Sequence, residues 1–230
     1  GVITTGKREL PSYDMESEGL SEGESFHLEV FNDKDRKGAA YGRNSLIKYF
    51  YDNNFDFWVV FDDDVFVTQP SHTHFLKEMV RVAVKGGWDW FASPEYFRDH
   101  IVASHQNGEV LQWKEAGYIQ WLFMSKKVVD VAGYIPHLKN AYGFEDTLYS
   151  YQLQKKSKEG KLNNGVGGNV CPAKMLAYLH PTDMFGDNAT PFNNMTQEQK
   201  KEHADGNWLE FIEKKNIIEG TDFYQDFEGA

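Results

Sequence analysis

Phe57-Trp58-Val59-Val60-Phe61-Asp62-Asp63-Asp64 is the stretch that decides how this chain folds. Five consecutive β-branched or aromatic residues make a strand buried on both faces. Three carboxylates follow without a break. In an open α/β sheet, ligands collect at the carboxyl ends of strands. In extended backbone, residues i and i+2 point to the same side, so Asp62 and Asp64 face one site and Asp63 faces away. Two hard oxygen ligands at one point suit Mg²⁺ or Mn²⁺ bridging phosphate oxygens. A solvated acidic loop is the plain alternative. Mutual repulsion of three carboxylates directly after a buried strand favours a bound cation instead.

Outward from this strand, apolar runs of strand length alternate with segments of helical period. Strands are expected at Val2–Thr5, Ser25–Phe31, Phe57–Phe61, Trp88–Ser93, Tyr118–Met124 and Lys174–Leu179. Helices are expected at Ala39–Tyr51, His72–Val84 and Phe144–Gln154. The alternation implies an α/β layered fold with a mostly parallel sheet flanked by helices. Pro94–Val110 carries an Asn107-Gly108 turn between polar stretches, which suits a hairpin or a loop. Pro181–Asn194 is rich in Pro, Gly and Asn and reads as loop. Thr196 with Gln199 forms a capping box for a last helix from about Gln197, with Trp208, Phe211 and Ile212 turned inward. No linker divides the 230 residues, so one domain is expected, with 181–230 as a C-terminal loop and helical extension.

The formal net charge of −11 argues against bulk nucleic-acid binding, which needs a basic surface. An acidic protein can still hold an anionic nucleotide through a cation. Cys171 is the single cysteine, so no disulfide forms within the chain and a cytoplasmic setting is favoured. An upstream anchor removed from this chain would place it in a lumen instead. No run approaches the ~18 apolar residues of a membrane helix.

The apolar strand followed by Asp-x-Asp resembles the metal-binding motif of GT-A glycosyltransferases, in particular the large inverting family 2-like group. Gly38-Ala39-Ala40-Tyr41-Gly42-Arg43-Asn44 is similar to the small-residue, Arg-Asn helix of many sugar transferases. Val2–Thr5 with Gly6-Lys7-Arg8 resembles their first strand and nucleotide loop, and Phe31-Asn32-Asp33 their second strand end. Tyr142-Gly143-Phe144-Glu145-Asp146 looks much like the Glu-Asp element that contacts the acceptor hydroxyl. The resemblance covers about residues 1–180. It implies a GT-A (Rossmann-like) fold and a nucleoside diphosphate sugar donor, a UDP-sugar first, with Mn²⁺ or Mg²⁺ as cofactor. It implies metal ligation by Asp62, Asp64 and the late His180. Donor nucleotide contacts would come from Thr4, Thr5, Arg8, Asp33, Arg43, Asp62 and Asp63. Arg43 suits a diphosphate, and equally a neighbouring carboxylate.

The implied reaction moves a sugar to an acceptor hydroxyl, with inversion. Such a hydroxyl is a poor nucleophile, and a positioned base contributes about 10²–10⁴-fold. Asp146 is the candidate base and Glu145 its orienting neighbour. Simple helix capping explains the same acidic pair through the helix dipole. The acceptor class stays open among glycan, small molecule, protein and modified base. Trp113, Tyr118 and Trp121 are stacking candidates, although Trp121 lies inside an apolar run and suits the core. Rival readings are a haloacid dehalogenase-type phosphatase, a nucleotidyltransferase and a non-catalytic sugar- or metal-binding module. The first wants a Thr or Val where Phe66 stands and an Asp where Pro191 stands.

Overall fold

The structure is a computed structural model. It describes residues 1–4, 25–62, 72–92, 101–113, 121–139, 143–164, 170–173 and 196–220. In chain order the elements are β1 (Val2–Thr4), β2 (Val30–Asn32), α1 (Ala39–Asp52), β3 (Phe57–Asp62), α2 (His72–Gly86) and β4 (Trp90–Ala92). Then come β5 (Ile101–His105), β6 (Val110–Trp113), β7 (Trp121–Ser125), α3 (Lys126–Ala132), α4 (Glu145–Lys158), β8 (Val170–Pro172) and α5 (Gln197–Gly220).

The larger sheet has the order β2-β1-β3-β7-β4. β1 pairs in parallel with β2 and with β3, while β7 is antiparallel to both β3 and β4. Four of its five strands therefore share one direction, with β7 inserted against them. The expected α/β layering holds, and the larger sheet is mixed, its strands sharing one direction except for β7. A second sheet, β5-β6-β8, is antiparallel throughout. The hairpin expected around Asn107-Gly108 is its β5–β6 pair, turning through Gln106–Gly108.

Side-chain alternation along β3 and β7 sorts the core into two layers. Trp58 and Val60 of β3, with Leu122 and Met124 of β7, face α1, α3 and α4 through Leu46, Ile47, Phe50, Val128, Tyr149 and Leu153. Val59 and Phe61, with Trp121 and Phe123, face α2 and the second sheet through Phe75, Met79, Val110 and Cys171. Trp121 is fully buried, in keeping with a core residue. β3 is thus buried on both faces, and only its two ends emerge.

Several boundaries move. Residues 25–29 form no strand: they lead into β2 at the sheet edge, and Ser25, His27 and Leu28 are exposed. β4 starts two residues later than expected, since the Trp88 amide closes α2 by bonding Ala83 O at 2.8 Å. α3 was not anticipated, as its three valines argue for a strand. β8 was not anticipated either; the strand expected at Lys174–Leu179 lies outside the described residues. The capping box is as expected: Gln199 N donates to Thr196 Oγ1 at 3.2 Å and Thr196 N to Gln199 Oε1 at 2.9 Å. No helix among the described residues is long and apolar enough to cross a membrane.

Candidate functional site

Parity along β3 sets the site. Trp58, Val60 and Asp62 share a face, so Asp62 emerges at the strand's carboxyl end on the side covered by α1 and α4. β1 ends beside it, with Ile3 in register with Asp62, and β2 ends beyond β1. Because these three strands are parallel, Thr4, Asp33 and Asp62 line one edge of the sheet.

Asp33 shapes the entry to α1. Its Oδ1 accepts from Lys37 N at 2.8 Å and its Oδ2 from Gly38 N at 2.9 Å. Gly38 sits at φ 112°, a conformation that side-chain-bearing residues rarely adopt, so glycine is needed where the chain turns into the helix. Thr4 is buried and its carbonyl accepts from Asp33 N at 2.7 Å.

α1 then turns Arg43 toward the strand end. Arg43 Nη2 lies 2.8 Å from both oxygens of Asp62, and Nη1 lies 3.5 Å from Glu145 Oε1. The guanidinium is 5% exposed, and Nη1 has no hydrogen bond. Sequence left its partner open between a diphosphate and a carboxylate; the structure gives it two carboxylates. Burial alone would lower the Arg43 pKa, but Asp62, Asp146 and Glu145 together outweigh it and raise it.

Glu145 and Asp146 open α4, and both are buried. Burial pushes the Glu145 carboxyl up to about 7, and the Asp146 charge adds to this against the pull of Arg43. Asp146 Oδ1 accepts from Thr147 N at 2.7 Å. The chain enters this turn through Gly143 at φ 102° and Phe144 at φ 69°. A bulky residue in the left-handed region costs roughly 1–2 kcal/mol. Strain of this kind persists only where surrounding contacts impose it, and it concentrates at functional sites.

The structure therefore joins Asp62, Arg43, Glu145 and Asp146 in one cluster, buried except at Asp62, with Thr4 and Asp33 at the neighbouring strand ends. Thr5, Arg8, Asp63, Asp64 and His180 lie outside the described residues. So does the Pro181–Asn194 loop.

One contributor was missed. Asn44 is fully buried beside Arg43; its Nδ2 donates to Ile135 O at 2.8 Å, and its Oδ1 accepts from Ile135 N at 2.9 Å. It ties α1 to the segment that leads into the acidic pair. A signal was present. Ala40, Arg43, Asn44 and Ile47 have the i, i+3, i+4, i+7 spacing of a core-facing stripe, and two polar residues in such a stripe need buried partners.

Asp62 was also tested as a cation ligand. Its side chain keeps about a third of its surface exposed although Arg43 holds both oxygens. Each carboxylate oxygen has more than one lone pair, and its hard oxygen suits Mg²⁺ or Mn²⁺. Among the described residues no group of three His, Cys, Asp or Glu forms a metal cage. Asp62 thus fits a shared or water-mediated contact. Comparison of the chain with protein-family models, curated proteins and solved structures finds no match in any of the three.

Proposed function

We propose that this protein is a metal-dependent glycosyltransferase of the GT-A type, moving a sugar from a nucleoside diphosphate sugar to an acceptor hydroxyl with inversion. The observation that carries the reading is the Arg43 bridge. Two acidic elements far apart in sequence, the Asp-x-Asp strand end and the Glu-Asp helix start, share one buried guanidinium. A solvated acidic loop has no need of such a partner, and neither does a helix cap.

In this reading Asp64 and His180 hold Mn²⁺ or Mg²⁺ directly, and Asp62 does so through water or binds the ribose. Bound there, the cation would neutralise charge on the departing nucleoside diphosphate. Arg43 fixes Asp62 in orientation. Asp146 takes the proton of the acceptor hydroxyl as the oxygen attacks the anomeric carbon from the face opposite the leaving group. Glu145, turned toward Arg43, holds the helix start in register with the strand end. Thr4, Thr5, Arg8 and the Asp33 turn border the nucleotide. The donor to try first is a UDP-sugar, the common choice in the family the motifs resemble. A phosphatase reading fits less well. It needs Asp62 as a nucleophile, yet both of its oxygens face Arg43 at 2.8 Å.

The test is a melting experiment with a panel of nucleotides and nucleotide sugars in Mn²⁺, Mg²⁺ or EDTA. A ligand at ~100 times its dissociation constant adds about 2.7 kcal/mol of stability. One nucleotide family is expected to stabilise only with metal, and Asp64→Ala to abolish the effect. No shift with any nucleotide under any metal condition would remove the donor site from Asp62 and Asp64.

A further inference from the structure

Residues 137–139 and 143–144 precede the acidic pair in the chain, and α5 contacts both stretches. Lys214 Nζ donates to His137 O at 3.0 Å. Lys139 N donates to the Glu210 carboxylate. Asn207 Nδ2 donates to Gly143 O at 3.0 Å. The Phe144 ring stacks on Phe211, with centroids 5.4 Å apart and planes 28° apart, and meets Trp208 at 5.4 Å. Residues 207, 210, 211 and 214 fall at i, i+3, i+4 and i+7 on one face of α5, and Trp208 adds the remaining contact beside them. Two of these contacts, from Asn207 and from the ring stack, fall on the positive-φ residues Gly143 and Phe144.

We infer that α5 is a positioning clamp: Asn207, with the Phe144–Trp208–Phe211 stack, sets the direction in which Glu145 and Asp146 face. Phe144 in the left-handed region starts α4 abruptly, so that Glu145 opens the helix pointing at Arg43. Released from Asn207 and the stack, Phe144 relaxes toward ordinary helical angles. The first turn of α4 then rotates, and Glu145 leaves Arg43 for water. This rests on reading the pair as the acceptor-side acids. Asn207 and Trp208 act through it and need touch no substrate.

The experiment uses Asn207→Leu, nearly isosteric but without the donor, and Trp208→Ala at a half-exposed position that threatens folding less. Thr196→Ala serves as the control, because it weakens the start of α5 without touching the segment. Two readouts are taken. The first is the Glu145 side-chain carboxyl titration by ¹³C NMR, which needs no activity. The second is sugar transfer from a UDP-sugar, with UDP affinity in Mn²⁺ measured by calorimetry.

Both variants, and not the control, are expected to lower the Glu145 midpoint by about one unit toward the usual carboxylate range. They are expected to cut kcat by about tenfold or more, with UDP affinity unchanged. An unmoved Glu145 midpoint in both variants overturns the clamp. So does a loss of UDP affinity as large as the loss of rate, since that marks general destabilisation. If the midpoint shifts as expected while the wild type neither binds UDP nor transfers sugar, the clamp stands and the glycosyltransferase reading falls.

Discussion

Replacing Glu145 with glutamine should make the protein more stable, and only above the pH at which Glu145 ionises. Its carboxyl is held at about 7 against an ordinary 4.5, first by burial and then by the charge of Asp146, with Arg43 opposing and Asp62 adding to the rise. The native state therefore binds the Glu145 proton more tightly than the unfolded chain does. Stability from this source is complete below about pH 4.5 and is lost as pH rises to about 7. A shift of about 2.5 units at 1.36 kcal/mol per unit is about 3 kcal/mol. Glutamine imitates the protonated form at every pH. Glu145→Gln should exceed the wild type by less than about 1 kcal/mol at pH 5 and by about 3 kcal/mol at pH 8. With a urea m value of about 3 kcal/mol/M, that separates the unfolding midpoints by about 1 M. Urea curves at pH 5, 6, 7 and 8 on both proteins are the assay, because titrating groups remote from Glu145 cancel in the difference. Two stability profiles that run parallel across this range would refute the reasoning: the desolvated carboxylate would then not be the source of the strain. The same substitution should lower transfer activity, an exchange of stability for function.

Arg43→Met should destabilise by about 3–5 kcal/mol at pH 8, since it leaves buried carboxylates without their cation. It should also push the Glu145 midpoint above 7, so chemical denaturation at pH 6 should show a smaller loss than at pH 8. Asn44→Ala should cost about 3 kcal/mol by stranding the amide and carbonyl of Ile135, each a buried group with a real desolvation penalty. Hydrogen exchange would show this as lost protection at Ile135 while the β3–β7 ladder keeps its own.

The frame of the molecule was legible because periodicity survives in it. β3 reads as a buried strand from five apolar residues, and the parity of Trp58, Val60 and Asp62 already implies which side the first aspartate faces. α1 and α2 carry their apolar stripes in the open, and Thr196 with Gln199 marks the start of α5. Strand direction is another matter. Nothing local in Trp121–Ser125 distinguishes a parallel from an antiparallel neighbour, since both produce a fully buried run. Short elements also escape: β8 has three residues including Pro172, and α3 has seven. In the site, residue types pointed to Asp62, Glu145 and Asp146. The partner of Arg43 was not legible, because a guanidinium suits phosphate and carboxylate alike and only tertiary distance decides. The roles of Asn44 and Asn207 depend on contacts distant in sequence, which no motif encodes.

The buried guanidinium also sets an order of events during synthesis. Arg43 leaves the ribosome long before Glu145 and Asp146, so in the nascent chain only Asp62 answers its charge. β3 emerges with β1 on one side and an open edge on the other until β7 arrives. The chain up to Ala92 thus holds part of the charge cluster and an unclosed sheet, and a nascent fragment of that length exposes the adhesive flank of its most hydrophobic strand. Closure waits for β7, and the cluster is complete only when the first turn of α4 brings Glu145 and Asp146. A chain halted before that point is no smaller version of the protein but a substrate for chaperones.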